Sequence, residues 1–160
     1  MRQHEKFESV PGILRPFRAF MESAALAKGD QIVYYGVPGT CTPFVELLAF
    51  AIRALPVEQV FVPGIAEAKA RQLVFVPDVG MQIEEAVAEL RPRVIVLMGG
   101  LSMPNSGVNA TQVHSITAPH KARFIGVCFM QMFEKTGWLK TFDFDLLIDA
   151  TISPVDVWRK

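Results

Sequence analysis

Val94-Ile95-Val96-Leu97-Met98 decides the fold of this 160-residue chain. Its residues are apolar at consecutive positions and rich in β-branched side chains, so the run reads as a strand. A strand with one wet face alternates apolar and polar residues, whereas this one does not. Burial on both faces follows, and helices must then cover the sheet from both sides.

The same reading extends outward. Gln31–Tyr35, Glu58–Val62 and Leu73–Val76 precede this run as strands, and Phe124–Val127 and Phe144–Ile148 follow it. Helices fall between them. Ile13–Ala27 places Phe17, Phe20, Met21 and Ala24 at helical spacing, with Gly29 as its stop. Phe44, Leu47, Leu48, Ala51, Ile52 and Leu55 form the strongest helical stripe, with Pro43 in its first turn and Pro56 past its end. Ile83, Ala86, Val87 and Leu90 mark another helix. Asn109-Ala110-Thr111-Gln112 has the form of a capping box opening a helix that carries Val113 and Ile116. Cys128–Thr136 reads as a helix closed by Gly137, and a polar tail follows the last strand. Ile65–Arg71 holds only about two helical turns. Parallel crossovers take a dozen or more residues, so one antiparallel pairing stays open here. The expected fold is a single three-layer, Rossmann-like α/β domain. Its mostly parallel sheet has about six strands with helices on both faces, and residues 1–10 form a tail.

Composition narrows the function classes. The chain is 51% hydrophobic and 20% charged, with mean hydropathy +0.29, which excludes disorder over most of its length. No apolar run approaches the roughly 18–20 residues that span a bilayer. Lys plus Arg and Asp plus Glu are both 16, and the densest basic group is Arg91-Pro92-Arg93, so nucleic-acid binding is disfavoured. Met1–Glu8 is charged and lacks the apolar core of a signal peptide, and a cytoplasmic location is expected. Cys41 and Cys128 form no CxxC pair and suit a reducing compartment. No His, Cys or carboxylate cluster has ligand spacing, so no metal is expected.

Ligands in open parallel sheets bind beyond the carboxyl ends of the strands. Gly36-Val37-Pro38-Gly39-Thr40-Cys41-Thr42-Pro43 joins a strand to a helix there, where backbone N–H groups and the helix dipole favour an anion. Gly39 permits close approach, and Thr40 and Thr42 add hydroxyls. The pattern is neither a Walker loop nor GxGxxG, and it matches flavodoxin-type phosphate loops at too few positions to name FMN, so no cofactor is assigned. A capped turn without ligand accounts for it equally well. Gly99-Gly100-Leu101-Ser102-Met103-Pro104-Asn105-Ser106-Gly107 is the second candidate loop, with Gly99, Gly100, Ser102 and Asn105 as its contacts. Its alternative is an ordinary surface loop. Asp78 and Asp149 end their strands on the expected site side, while Asp143 and Asp145 lie at the opposite end.

Cys41 precedes a helix, where the dipole lowers a thiol pKa. As a nucleophile it needs a base, and the chain offers His4, His114 and His120. The plainer reading of Cys41, and more so of Cys128, is a small buried side chain. Phe129, Met130, Met132, Phe133 and Trp138 exceed what one helix face buries, pointing to a pocket, a homodimer contact or a well-covered core helix.

With the Gly36–Pro43 loop and Met98-Gly99-Gly100-Leu101-Ser102-Met103-Pro104 in view, the whole chain resembles a family of uncharacterised proteins from methanogenic archaea. The resemblance implies a cytoplasmic archaeal protein and brings no catalytic residue, cofactor or substrate. The leading functional expectation is therefore a binding domain for a small anionic or nucleotide-like ligand. A Cys41 enzyme and a non-catalytic interaction protein or homodimer using Phe129–Trp138 are the alternatives.

Overall fold

A computed structural model of the chain describes residues 4–86 and 89–160. Its centre is one seven-stranded sheet, built from β1 (Gln31–Gly36), β2 (Glu58–Pro63), β3 (Arg71–Val76), β4 (Gly80–Ala86), β5 (Pro92–Met98), β6 (Arg123–Phe129) and β7 (Leu146–Ala150). The spatial order is β4-β3-β2-β1-β5-β6-β7. Strands β2, β1, β5, β6 and β7 run parallel, and β3 and β4 form an antiparallel hairpin at one edge.

The double burial read from Val94–Met98 is present side chain by side chain. Val94, Val96 and Met98 enter one core and Ile95 and Leu97 the other. β1 divides in the same way, with Ile32 and Tyr34 on the first face and Val33 and Tyr35 on the second. Helices α1 (Pro11–Ser23) and α2 (Thr42–Ala51) cover the first face through Phe17, Met21, Val45 and Leu48. The second is covered by α3 (Ala110–Thr117), α4 (Met132–Lys135) and the turn Trp138–Lys140, through Val113, Phe133 and Trp138. Asn109 caps α3 as expected: its side chain accepts the Gln112 N–H, and the Gln112 side chain accepts the Asn109 N–H.

The structure departs from the sequence reading in three places, and it settles the pairing left open at Ile65–Arg71. There are seven strands rather than six, because Gly80–Ala86 is a strand and not a helix; Val87 lies outside the described residues. The Ile65–Arg71 link holds only a three-residue 3₁₀ turn, Glu67–Lys69, and β3 returns antiparallel to β2. The helix expected over Cys128–Thr136 shrinks to Met132–Lys135, since Cys128 and Phe129 continue β6 and Met130 and Gln131 both take left-handed backbone angles. The C-terminal tail, read as polar, exposes Ile152, Val155, Val157 and Trp158.

β3 pairs with β2 only through Arg71–Leu73, so the rest of the hairpin projects past the amino end of β2 and packs beside the end of α2.

Candidate functional site

The strand order reverses at β1. The β1–α2–β2 connection moves to one side of β1, and the chain then returns to place β5 on the other. In open α/β sheets this is where a crevice opens at the carboxyl ends of the strands. The two candidate loops are the segments that leave β1 and β5, so the topology brings them side by side.

Their contact is close. A methyl group added at Gly100 would lie 2.5 Å from Cys41 Sγ, and one added at Gly99 would lie 2.6 Å from Cys128 Cβ and 2.8 Å from its Cα. Only glycine lets β5 end flush against the Cys41 turn on one side and β6 on the other. Behind Cys41, Gly36 packs against its Cβ. Gly36, Cys41, Gly99 and Ser102 are thus buried parts of the floor, with the Ser102 hydroxyl donating to the Gly99 carbonyl.

The outer layer is polar and exposed. Gly39, with φ +82°, turns the chain so that its N–H donates to Thr42 Oγ1. Thr40 and Asn105 are exposed, and Thr42 and Gly100 half-buried. Among the described residues no acceptor takes the N–H of Thr40 or of Thr42. The Thr42 N–H opens a ten-residue helix, at the positive end of its dipole, and Thr40 precedes the Cys41 cap.

The surroundings of both cysteines favour the neutral thiol. Burial pushes the Cys41 thiol up, and the backbone N–H groups of Val37 and Gly100 offset this only in part. Two of the histidines read as its base have contacts elsewhere. His120 Nε2 lies 2.8 Å from Glu67 Oε1, and His114 packs edge-on against the Phe142 ring. Cys128 is pushed up to about 11, first by burial and further by its thiol's bond to the Asp149 carboxylate. Asp149 also accepts the Gln131 N–H, which holds the left-handed Met130–Gln131 turn against β7. Asp78 does not join Asp149: β3 runs antiparallel, so Asp78 sits in the hairpin turn at the opposite edge.

The Phe129–Trp138 surplus is taken up inside the chain. Phe133 stacks with Trp138 and Phe144 at centroid distances of 5.1 and 5.4 Å, and Phe129 meets Phe44 of α2 at 4.5 Å. Met130 is the large apolar side chain of this segment left exposed.

One cluster escaped the sequence reading. Tyr35 Oη donates to Glu67 Oε1 at 2.7 Å, the same oxygen that His120 Nε2 approaches. Burial, then the Glu67 contact, raises the Tyr35 phenol far above its usual range. Because a carboxylate only accepts, His120 carries its proton on Nε2 while Glu67 is ionised. These residues lie on three separate elements, and no local spacing announces them. A groove of ≈370 Å³ is lined by Ile65, the α3 cap Asn109 and the α3 residues Gln112 and Ile116. Among the described residues no group of three His, Cys, Asp or Glu side chains is placed to hold a metal, and no helix is long and apolar enough to cross a membrane.

A family model for uncharacterised proteins conserved in archaea (DUF2124) matches residues 8–153. An uncharacterised protein of Methanothermobacter thermautotrophicus is 35% identical over 151 residues, covering 92% of this chain and 95% of the relative. One from Methanocaldococcus jannaschii is 38% identical over 143 residues, covering 88% and 84%. The crystal structure of a protein of unknown function from Methanothermobacter thermautotrophicus has the same fold, with a TM-score of 0.85 and 31% identity over 99% of both chains.

Proposed function

Because the chain belongs to the uncharacterised archaeal family DUF2124, function has to be argued from the site, and we propose that it binds a small anionic or nucleotide-like ligand across the β1 and β5 loops. The observation that supports this reading is the reversal of strand order at β1, with Gly100 of the β5 loop against Cys41 and Thr40 of the β1 loop. A phosphate or carboxylate there receives the Thr40 and Thr42 N–H groups and the Thr40 hydroxyl. The buried Cys41–Gly100 and Gly99–Cys128 contacts hold these donors in place, so binding requires little ordering of the loop.

A thermal-melt screen against nucleotides, flavins, phosphate esters and methanogen coenzymes tests this. A ligand at about a hundred times its dissociation constant adds ~2.7 kcal/mol, or roughly 5–11 °C for a domain of this size. Thr40→Glu places a carboxylate where the anion sits and should abolish the shift without lowering the melting temperature of the free protein. A flat screen, or an unchanged shift in Thr40→Glu, ends the reading.

A further inference from the structure

The ten residues after β7 leave the body of the chain. Residues 151–160 run exposed over their whole length and carry Ile152, Val155, Val157 and Trp158, the last 87% exposed. A second unpartnered apolar surface lies at the other end of the sheet. Phe50 of α2 stacks on Phe75 of β3 with ring centroids 6.4 Å apart, the Arg53 guanidinium sits 3.8 Å above the Phe50 ring, and Val79 tips the hairpin. Phe75 is 53% and Val79 65% exposed. Beside Phe75 a groove of ≈190 Å³ is lined by Arg53, Leu55, Glu58, Gln72 and Met81.

The tail cannot reach this groove in its own chain. From β7 to β3 the sheet crosses five strand intervals, roughly 24 Å at ~4.8 Å each. Register places Ile148 level with Val127 and Met98, and Tyr35, one step below, level with Leu97 and Val62. Ala150 therefore stands about seven residues above Glu58, which adds roughly 23 Å along the strands. The straight line is therefore roughly 33 Å. A fully extended chain carries the Trp158 backbone at most ~29 Å from Ala150.

We propose that the tail of one chain seats on the Phe50–Phe75–Val79 surface of a second copy, which returns its own tail in a two-fold symmetric dimer. The charges match in order: Asp156 meets Arg53, and Arg159 and Lys160 meet Glu58. The area also favours reciprocity. Trp158 and three aliphatic side chains offer on the order of 500 Å² per tail. Two tails and the two surfaces beneath them bury roughly 2,000 Å², the size of a stable specific interface, and a single tail gives half of that. The two-fold exchange doubles the contact without requiring a second kind of surface.

The test is sedimentation velocity on the full chain across micromolar concentrations. A dimer is expected. Trp158→Ser and Phe75→Arg should each weaken it by roughly 30-fold or more while leaving the circular dichroism spectrum unchanged. Arg53→Asp and Asp156→Arg should each weaken the dimer, and the two together should restore it. A wild-type chain that stays monomeric, a dimer that survives truncation after Ala150, or a dimer lost in Trp158→Ser but kept in Phe75→Arg would each overturn the proposal.

Discussion

Adding one methyl group at Gly99 and one at Gly100 should have unequal consequences, and the inequality tests how the β5 loop is held. Neither glycine has a positive φ, so alanine fits the backbone at both and only the contacts decide. At Gly99 the methyl meets Cys128 Cβ at 2.6 Å and its Cα at 2.8 Å. Those atoms belong to the frame of β6, and relief requires moving a central strand. Overpacking a tight core costs ~1–3 kcal/mol, and this contact belongs at the top of that range, about 6–12 °C in melting temperature. At Gly100 the obstacle is Cys41 Sγ, the end of a side chain with one rotatable bond. There the cost should be about 1–2 kcal/mol, or roughly 2–8 °C. Cys41→Ala removes the sulfur, so in that background Gly100→Ala should be nearly free, a coupling of about 1–2 kcal/mol in a double-mutant cycle. Urea unfolding of the four proteins in the Gly100 cycle, and of Gly99→Ala beside them, measures this. If Gly99→Ala melts with wild type, or Gly100→Ala costs the same with and without the thiol, the packing argument fails.

Three further outcomes follow from the same structure. Tyr34→Phe should cost about 1–3 kcal/mol, because it leaves the buried Gln59 Oε1 without its 2.7 Å donor, whereas Tyr35→Phe should cost less because Glu67 keeps His120 and reaches solvent. Chemical denaturation of the two variants separates them. The Cys128 thiol is favoured neutral in the folded chain, so its contribution is complete below about pH 9 and is lost as pH rises toward 11; the wild-type melting temperature should fall more steeply over that window than that of Cys128→Ala. Asn109→Ala should remove about 1 kcal/mol with the α3 capping box, seen as a lower urea midpoint at unchanged slope.

What was legible in the sequence was whatever announces itself within one element. The five parallel strands show as double-faced apolar runs, and the capping box at Asn109 shows because its two partners are three residues apart. β4 was misread because Ile83, Ala86, Val87 and Leu90 satisfy helical spacing, while Met81 and Ile83 satisfy strand alternation equally well. Pairing with β3 settles that ambiguity, and pairing is not local. The switch-point loops could be named from the sequence, but their contact could not, since it depends on which side of β1 the chain places β5. The surroundings of Cys41 are illegible for a related reason: a residue before a helix gains from the dipole only if burial does not outweigh it. Tyr35, Glu67 and His120 are separated by 32 and 53 positions, so only the fold brings them to one carboxylate oxygen.

The placement of α1 sets an order for assembly. Phe17 and Met21 share their core with Ile148, and α1 packs against β7. The first helix to be synthesised therefore rests partly on the last strand. About 120 residues separate the end of α1 from β7, which at ~5–20 residues per second is roughly 6–24 seconds of translation. Through that interval the apolar face of α1 lacks part of its seat on the ribosome-bound chain. Nascent chains arrested before Leu146 should accordingly hold α1 open to protease, and release of the last strand should close it.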